Sequence, residues 1–355
     1  MDQYYQPPYY APLLELQENG VPVRPLPEEK KWIKRAYNWA GGMLFLQVGV
    51  AFAVTLIAII IALVSGAFSD PSKASNFSFL IFLGTAAGYT AGNLLCFFVG
   101  CRSEKIRTAP LFRWNKSTAG LILWALTVAL GIQAAVILLS NMGISLINEL
   151  TGVDLNRILG DQGYTDFTTE VLMTVYTCIG APITEELVFR GFCLKQLSRF
   201  NLRFGIVASS LLFGLVHGNI IQFCLAFPLG ILLAWITVKS GSIFPAILVH
   251  FVVNTSSTVL SKAAELFPQA GGIFQMVWLI FFLVAALILL LVSHLKKREA
   301  LPEKTVPKSS RGWPLFFRSG AMIGLLCMYG LMIVLPLFLL PFLPMLKPIL
   351  DRMYP

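Results

Sequence analysis

Apolar runs of about twenty residues recur along this chain from residue 43 to residue 343. Each is long enough to cross a hydrocarbon core of roughly 30 Å as a helix. Lipid offers the backbone no hydrogen-bonding partner, so a segment that crosses it must satisfy its own amides and carbonyls. The expected fold is all-α: a polytopic membrane helical bundle of about eight or nine transmembrane helices. The spans fall at about 43–65, 79–100, 119–147, 169–192, 204–219, 221–238, 242–260, 272–294 and 319–343. The fifth and sixth are short, and only Gly218-Asn219 divides them. Composition excludes a water-soluble domain. Of 355 residues, 56% are hydrophobic and 13% charged, where soluble domains carry about a quarter charged.

The formal charge of +9 lies in loops and is no nucleic-acid footprint. Lys30, Lys31, Lys34 and Arg35 precede the first span, and Arg102, Lys105, Arg107, Arg113 and Lys116 follow the second. Lys195, Arg199 and Arg203 follow the fourth, Lys239 the sixth, and Lys296, Lys297, Arg298, Lys304, Lys308 and Arg311 the eighth. The intervening loops are poor in basic residues: 66–78 has only Lys73, and 148–168 carries Glu149, Asp154, Asp161 and Asp166. Short basic loops stay in the cytoplasm. The amino terminus is therefore expected inside and the carboxyl terminus outside, in an integral protein of the plasma (cell) membrane. The first forty residues put charge and proline ahead of any apolar run, unlike a cleavable signal. MDQYYQPPYYAP reads as a disordered cytoplasmic tail, assigned to 1–40. Six cysteines in or beside the spans lack paired spacing in an external loop and read as small packing residues.

Ionisable groups at membrane depth cost roughly 2.5 kcal/mol or more each, which makes them functional candidates. Glu185 and Glu186 are adjacent, hence roughly 100° apart on a helix. Glu186 and Arg190 are four apart, the spacing and order of a helical ion pair. One carboxylate is thus braced and Glu185 is left to accept a proton. His217 stands in another apolar segment, and His250 and Asn254 share one face of a third. Each taken alone has a bland reading: a charged pair at a helix end near Lys195, a packed histidine, or an asparagine bridging two helices. Depth joins them. At roughly 1.5 Å per residue, Glu185 lies about 15 Å above Lys195, His217 about 20 Å above Arg203 and His250 about 15 Å above Lys239. One polar site is expected, opening to the cytoplasmic side or laterally to lipid.

Glu185-Glu186-x-x-x-Arg190, Phe213-x-x-x-His217 and His250-x-x-x-Asn254 together resemble the three motifs of the CAAX protease and bacteriocin-processing family. These intramembrane endopeptidases are similar to type II CAAX prenyl proteases. Phe189-Arg190-Gly191, Phe213-Gly214-Leu215 and Gly241-Ser242-x-x-Pro245-Ala246 fit as well. The resemblance covers about 119–260, flanked by two helices in 41–118 and two in 261–355 with a basic connector. It implies proteolysis of a peptide or protein substrate in the membrane, with Glu185 activating a water aided by His217. His250 and Asn254 would donate to the oxyanion, and Glu186 and Arg190 would support the base. The family is commonly labelled metalloprotease, and a zinc ion would take Glu185, His217 and His250. Asparagine is a poor zinc ligand, however, and these residues suffice without a metal, so no obligatory cofactor is expected.

Other classes fit less well. No H-E-x-x-H occurs, Gly160-Asp161 lies in an external loop, and Ser240 and Ser242 stand at the span entry, a turn or more from His250. A transporter or proton-relay protein would also place Glu, Arg and His at mid-membrane, but the chain shows no inverted repeat. A non-proteolytic immunity or scaffold member of the same fold is the remaining alternative.

Overall fold

The computed structural model describes residues 27–65, 74–113, 119–154, 167–199, 201–295, 312–339, 342 and 345. Nine apolar helices run through them: α1 (Pro27–Val64), α2 (Ala74–Ser103), α3 (Ala119–Thr151), α4 (Phe167–Leu197), α5 (Leu202–Leu215), α6 (Ile220–Ser240), α7 (Phe244–Leu266), α8 (Pro268–Leu295) and α9 (Gly320–Leu339). Short helical turns lie at Ala109–Phe112 and Trp313–Phe316. The described residues contain no strand. Seven helices are long and apolar enough to cross a membrane; Leu202–Leu215 and Gly320–Pro336 are the shorter apolar ones. The molecule is a polytopic helical bundle.

Two expected boundaries move. Helix α1 begins at Pro27 and takes in residues 27–40, which had been assigned to the tail. Charge hid this extension. Ile33, Ala36, Tyr37 and Ala40 are buried at helical spacing while Lys30, Lys31, Lys34 and Arg35 stay exposed, so the segment is amphipathic and apolar only on one face. The remainder of the tail, 1–26, and the connector 296–311 lie outside the described residues. Helix α5 ends at Leu215 instead of running to 219. Gly218 turns the chain at φ 68°, a conformation that costs glycine nothing. Asn219 then caps α6 by accepting from the Gln222 amide at 2.8 Å.

Two larger apolar cores and a smaller one, around Leu194, Ile206 and Ala234, hold the described helices together. One of the larger two joins α1, α2, α4, α5 and α9 through Tyr37, Phe97, Phe189, Phe192, Phe213 and Tyr329. The other joins α3, α6 and α7 through Ile122, Leu233, Val249 and Val253. Helices α1 and α2 pack almost backbone to backbone: a Cβ added at Gly92 would stand 2.4 Å from the Gln47 carbonyl oxygen. Small residues permit such approaches between membrane helices, where apolar burial gives no drive.

The basic segments gather at one end. Arg199 pairs with Glu104 at 2.8 Å, and the Lys195 ammonium donates to the Arg107 carbonyl at 3.1 Å. Gln196 donates to the Ala36 carbonyl at 3.2 Å, and Ser242 to the Leu111 carbonyl at 3.1 Å. The starts of α1 and α7, the loop after α2 and the end of α4 therefore share one end of the bundle.

Candidate active site

Helix α4 is not regular where it carries the carboxylates. Tyr176–Gly180 and Leu187–Cys193 are π-helical and flank a short α segment, Ala181–Glu186. Pro182 has no amide hydrogen to continue the ladder, and π turns inside helices frequently mark functional sites. The two glutamates consequently meet different surroundings. Glu186 is fully buried, whereas the Glu185 side chain keeps 21% exposure.

One oxygen of Glu186 accepts from the Arg190 guanidinium at 2.8 Å and lies 3.0 Å from His250 Nδ1. Its other oxygen has no hydrogen-bond partner among the described residues. Arg190, 1% exposed, also donates to the Gly230 carbonyl at 3.3 Å and lies over the Phe213 ring at 4.3 Å. The Glu186–Arg190 ion pair expected from the spacing is present, and a further partner joins it. His250 spans both carboxylates, since its Nε2 faces Glu185 at 3.9 Å.

His217 stands in the turn after α5 and not within the helix. Its Nδ1 donates to the Phe213 carbonyl at 2.8 Å, which leaves Nε2 as an acceptor. The Phe213 ring meets the His217 and His250 imidazoles edge-on, at centroid distances of 5.3 and 5.6 Å. Phe213 thus links the two histidines and Arg190, a role that motif spacing alone did not reveal. Asn254 donates to the Thr177 carbonyl at 2.9 Å, so in this state its amide ties α7 to the first π segment. Ser240 donates to the Ser242 carbonyl at 2.9 Å, and the Ser242 hydroxyl donates to the Leu111 carbonyl at 3.1 Å.

Along α4 the side toward the basic end is packed. Every residue from Glu186 to Leu194 is buried, whereas Thr177, Glu185, His217 and Asn254 retain exposure. The conditional metal set is not assembled. No group of three His, Cys, Asp or Glu side chains among the described residues could hold a metal ion. Glu185 and His250 come near each other, but His217 does not join them as a third ligand, and zinc sites need at least three protein donors. The six cysteines are free thiols, and Cys96, Cys101, Cys178 and Cys193 are buried.

Residues 167–256 match the family model described as Type II CAAX prenyl endopeptidase Rce1-like. A protein of Bacillus subtilis (strain 168) named "Putative membrane peptidase YdiL" is 29% identical over 90 residues, which cover 25% of this chain and 37% of that relative. No solved structure matches the chain. The matched segment contains α4, α5, α6 and most of α7, with all three motifs and the side chains that meet around His250. Over this quarter of its length the chain is similar to the type II CAAX prenyl endopeptidases, and it spans little more than a third of the Bacillus relative.

Proposed function

We propose that the chain is an intramembrane endopeptidase that cleaves membrane-associated or lipidated peptides with a water activated by Glu185. The placement of His250 carries this reading: Nδ1 sits 3.0 Å from buried Glu186 and Nε2 sits 3.9 Å from partly exposed Glu185. A gap of that length is too wide for a direct hydrogen bond and suits one bridging water. The Glu185 carboxylate takes a proton from this water as its oxygen attacks the peptide carbonyl carbon. The proton then passes to the amide nitrogen as the carbon–nitrogen bond breaks. In this scheme His250 carries a proton on both ring nitrogens, donating from Nδ1 to Glu186 and from Nε2 to the developing oxyanion, and preorganised donors of this kind are worth about 3–4 kcal/mol. Asn254, one turn along the same face, is the second donor once a substrate carbonyl replaces that of Thr177. His217 assists through its bare Nε2, and Glu186 and Arg190 hold His250 in place.

No step in this scheme needs a metal. The family description and the name of the Bacillus relative support a peptidase, and the basic end of the bundle is assigned to the cytoplasm by the positive-inside tendency. The test compares detergent-purified wild type with Glu185→Gln on a proteome-derived peptide library, read by mass spectrometry. Wild type should release fragments that Glu185→Gln does not. Identical fragment sets from the two proteins would sink the reading.

A further inference from the structure

Two buried amides outside the matched segment grip the site from opposite sides. On α2, Asn93 is 1% exposed, and its Nδ2 donates at 3.0 Å to the hydroxyl of Thr184, the residue immediately before Glu185. That hydroxyl in turn donates to the Gly180 carbonyl at 3.0 Å, at the junction between the first π segment and the segment bearing the glutamates. Asn93 is itself fixed from α1, where Gln47 donates to its Oδ1 at 2.8 Å. On the other side, Gln133 of α3 is fully buried. It donates at 3.0 Å to the Val253 carbonyl of α7 and also to the Ser257 hydroxyl. Its own oxygen accepts from Ser256 at 2.7 Å. Val253 lies between His250 and Asn254 in the chain.

We infer that Asn93 and Gln133 are positioning residues, which set the register between the Glu185–Glu186 segment of α4 and the His250–Asn254 segment of α7. The physical case rests on cost and on geometry. Buried amide and hydroxyl side chains at membrane depth are expensive unless bonded. Gln47 bonds Asn93 through its nitrogen, and its buried oxygen has no partner among the described residues. Asn93, Thr184 and Gln133 each direct their bonds to the site's two helices or their neighbours. Their bonds also converge on the irregular part of α4 and on one turn of α7, the two places where backbone shift moves a reacting group. A misplacement of about 1 Å can cost on the order of 100-fold in rate. The inference gives α1, α2 and α3 a task in the chemistry, and its kinetic arm rests on the peptidase reading above.

The test uses the full chain in detergent with 15N-labelled histidine, because only His217, His250 and His294 contribute imidazole signals. Asn93→Leu, Thr184→Val and Gln133→Leu should each move the His250 resonances and leave exposed His294 unmoved. Gln196→Leu is the control. Gln196 is equally buried and bonded to the Ala36 carbonyl, but it lies beyond the second π segment, so its loss should move neither His250 nor turnover. On a peptide found by the library screen, the three positioning variants should lower kcat about 10- to 100-fold with KM unchanged. Asn93→Leu combined with Thr184→Val should be no slower than the worse single variant, as for two ends of one bond. If one side of the clamp does not fold when altered, the other side is read by the same measurements. His250 resonances and turnover that stay at wild-type values, or shifts as large in Gln196→Leu, would overturn the inference. Loss of the peptidase reading alone would show as Glu185→Gln retaining wild-type cleavage while His250 still responds to Asn93 and Gln133.

Discussion

Glu186 and Glu185 differ by one position and by nearly everything in their surroundings. Glu186 has no exposure and shares one oxygen between Arg190 and His250. Arg190→Ala would leave that carboxylate buried without its cation, a loss of roughly 3–5 kcal/mol. It should therefore depress thermal stability and yield in detergent as well as activity. Glu185→Gln removes a partly exposed base and should abolish activity at an unchanged melting temperature, so equal destabilisation by both would contradict the division of roles. The metal question belongs to the same side chains. Exhaustive chelation should leave turnover intact while His217→Ala removes it; recovery of a chelated enzyme by stoichiometric zinc would reverse that assignment. The Glu186–Arg190 pair was legible in the sequence because its partners are four residues apart on one helix. The bond from His250 to Glu186 was not, since it joins residues 64 apart and spacing rules speak only within an element. Asn93 had left a trace, a lone amide in an apolar run, but nothing in the chain indicated its partner.

Hydropathy located the helices because it measures whether a stretch tolerates lipid. It missed the π segments of α4, because one extra residue per turn leaves composition unchanged. Pro182 was the only local sign of that irregularity. Pro182→Ala would restore an amide donor inside Ala181–Glu186 and favour regular α geometry. This variant should keep or raise the melting temperature and lower turnover, because the glutamates rotate away from His250; unchanged turnover would show that the irregularity carries no function. The turn between α5 and α6 is a second case. Gly218 and Asn219 announced a break, yet where α5 stops depends on the left-handed glycine and on the cap at Asn219, and His217 consequently belongs to the turn.

At the scale of the molecule, charge proved a good guide to which segments share an end. Arg199 with Glu104, Lys195 with Arg107, and Gln196 with Ala36 bring together loops that the sequence had placed on one side. If that end faces the cytoplasm, a reporter that matures only outside it should be silent when inserted at Lys105 or Lys239 and active at Gly152. The opposite pattern would invert the assignment. Charge was a poor guide to the start of α1, where basic residues on one face masked a helix whose other face packs into the core.

That core has a further property that follows from which helices close it. Asn38 of α1 accepts from the Ala321 amide of α9 at 3.1 Å, and a Cβ added at Gly41 would stand 2.9 Å from the Ala321 backbone. A ribosome makes the first of these helices long before the last, on the order of tens of seconds earlier at about 5–20 residues per second. Until then the stretch of α1 around Asn38 and Gly41, which packs on Ala321 in the finished protein, has no helix α9 to cover it. The early helices can pair as they emerge, but the first core stays incomplete until the final helix is released. Quality control that samples the newborn chain would thus meet an unfinished face on α1 for most of its synthesis.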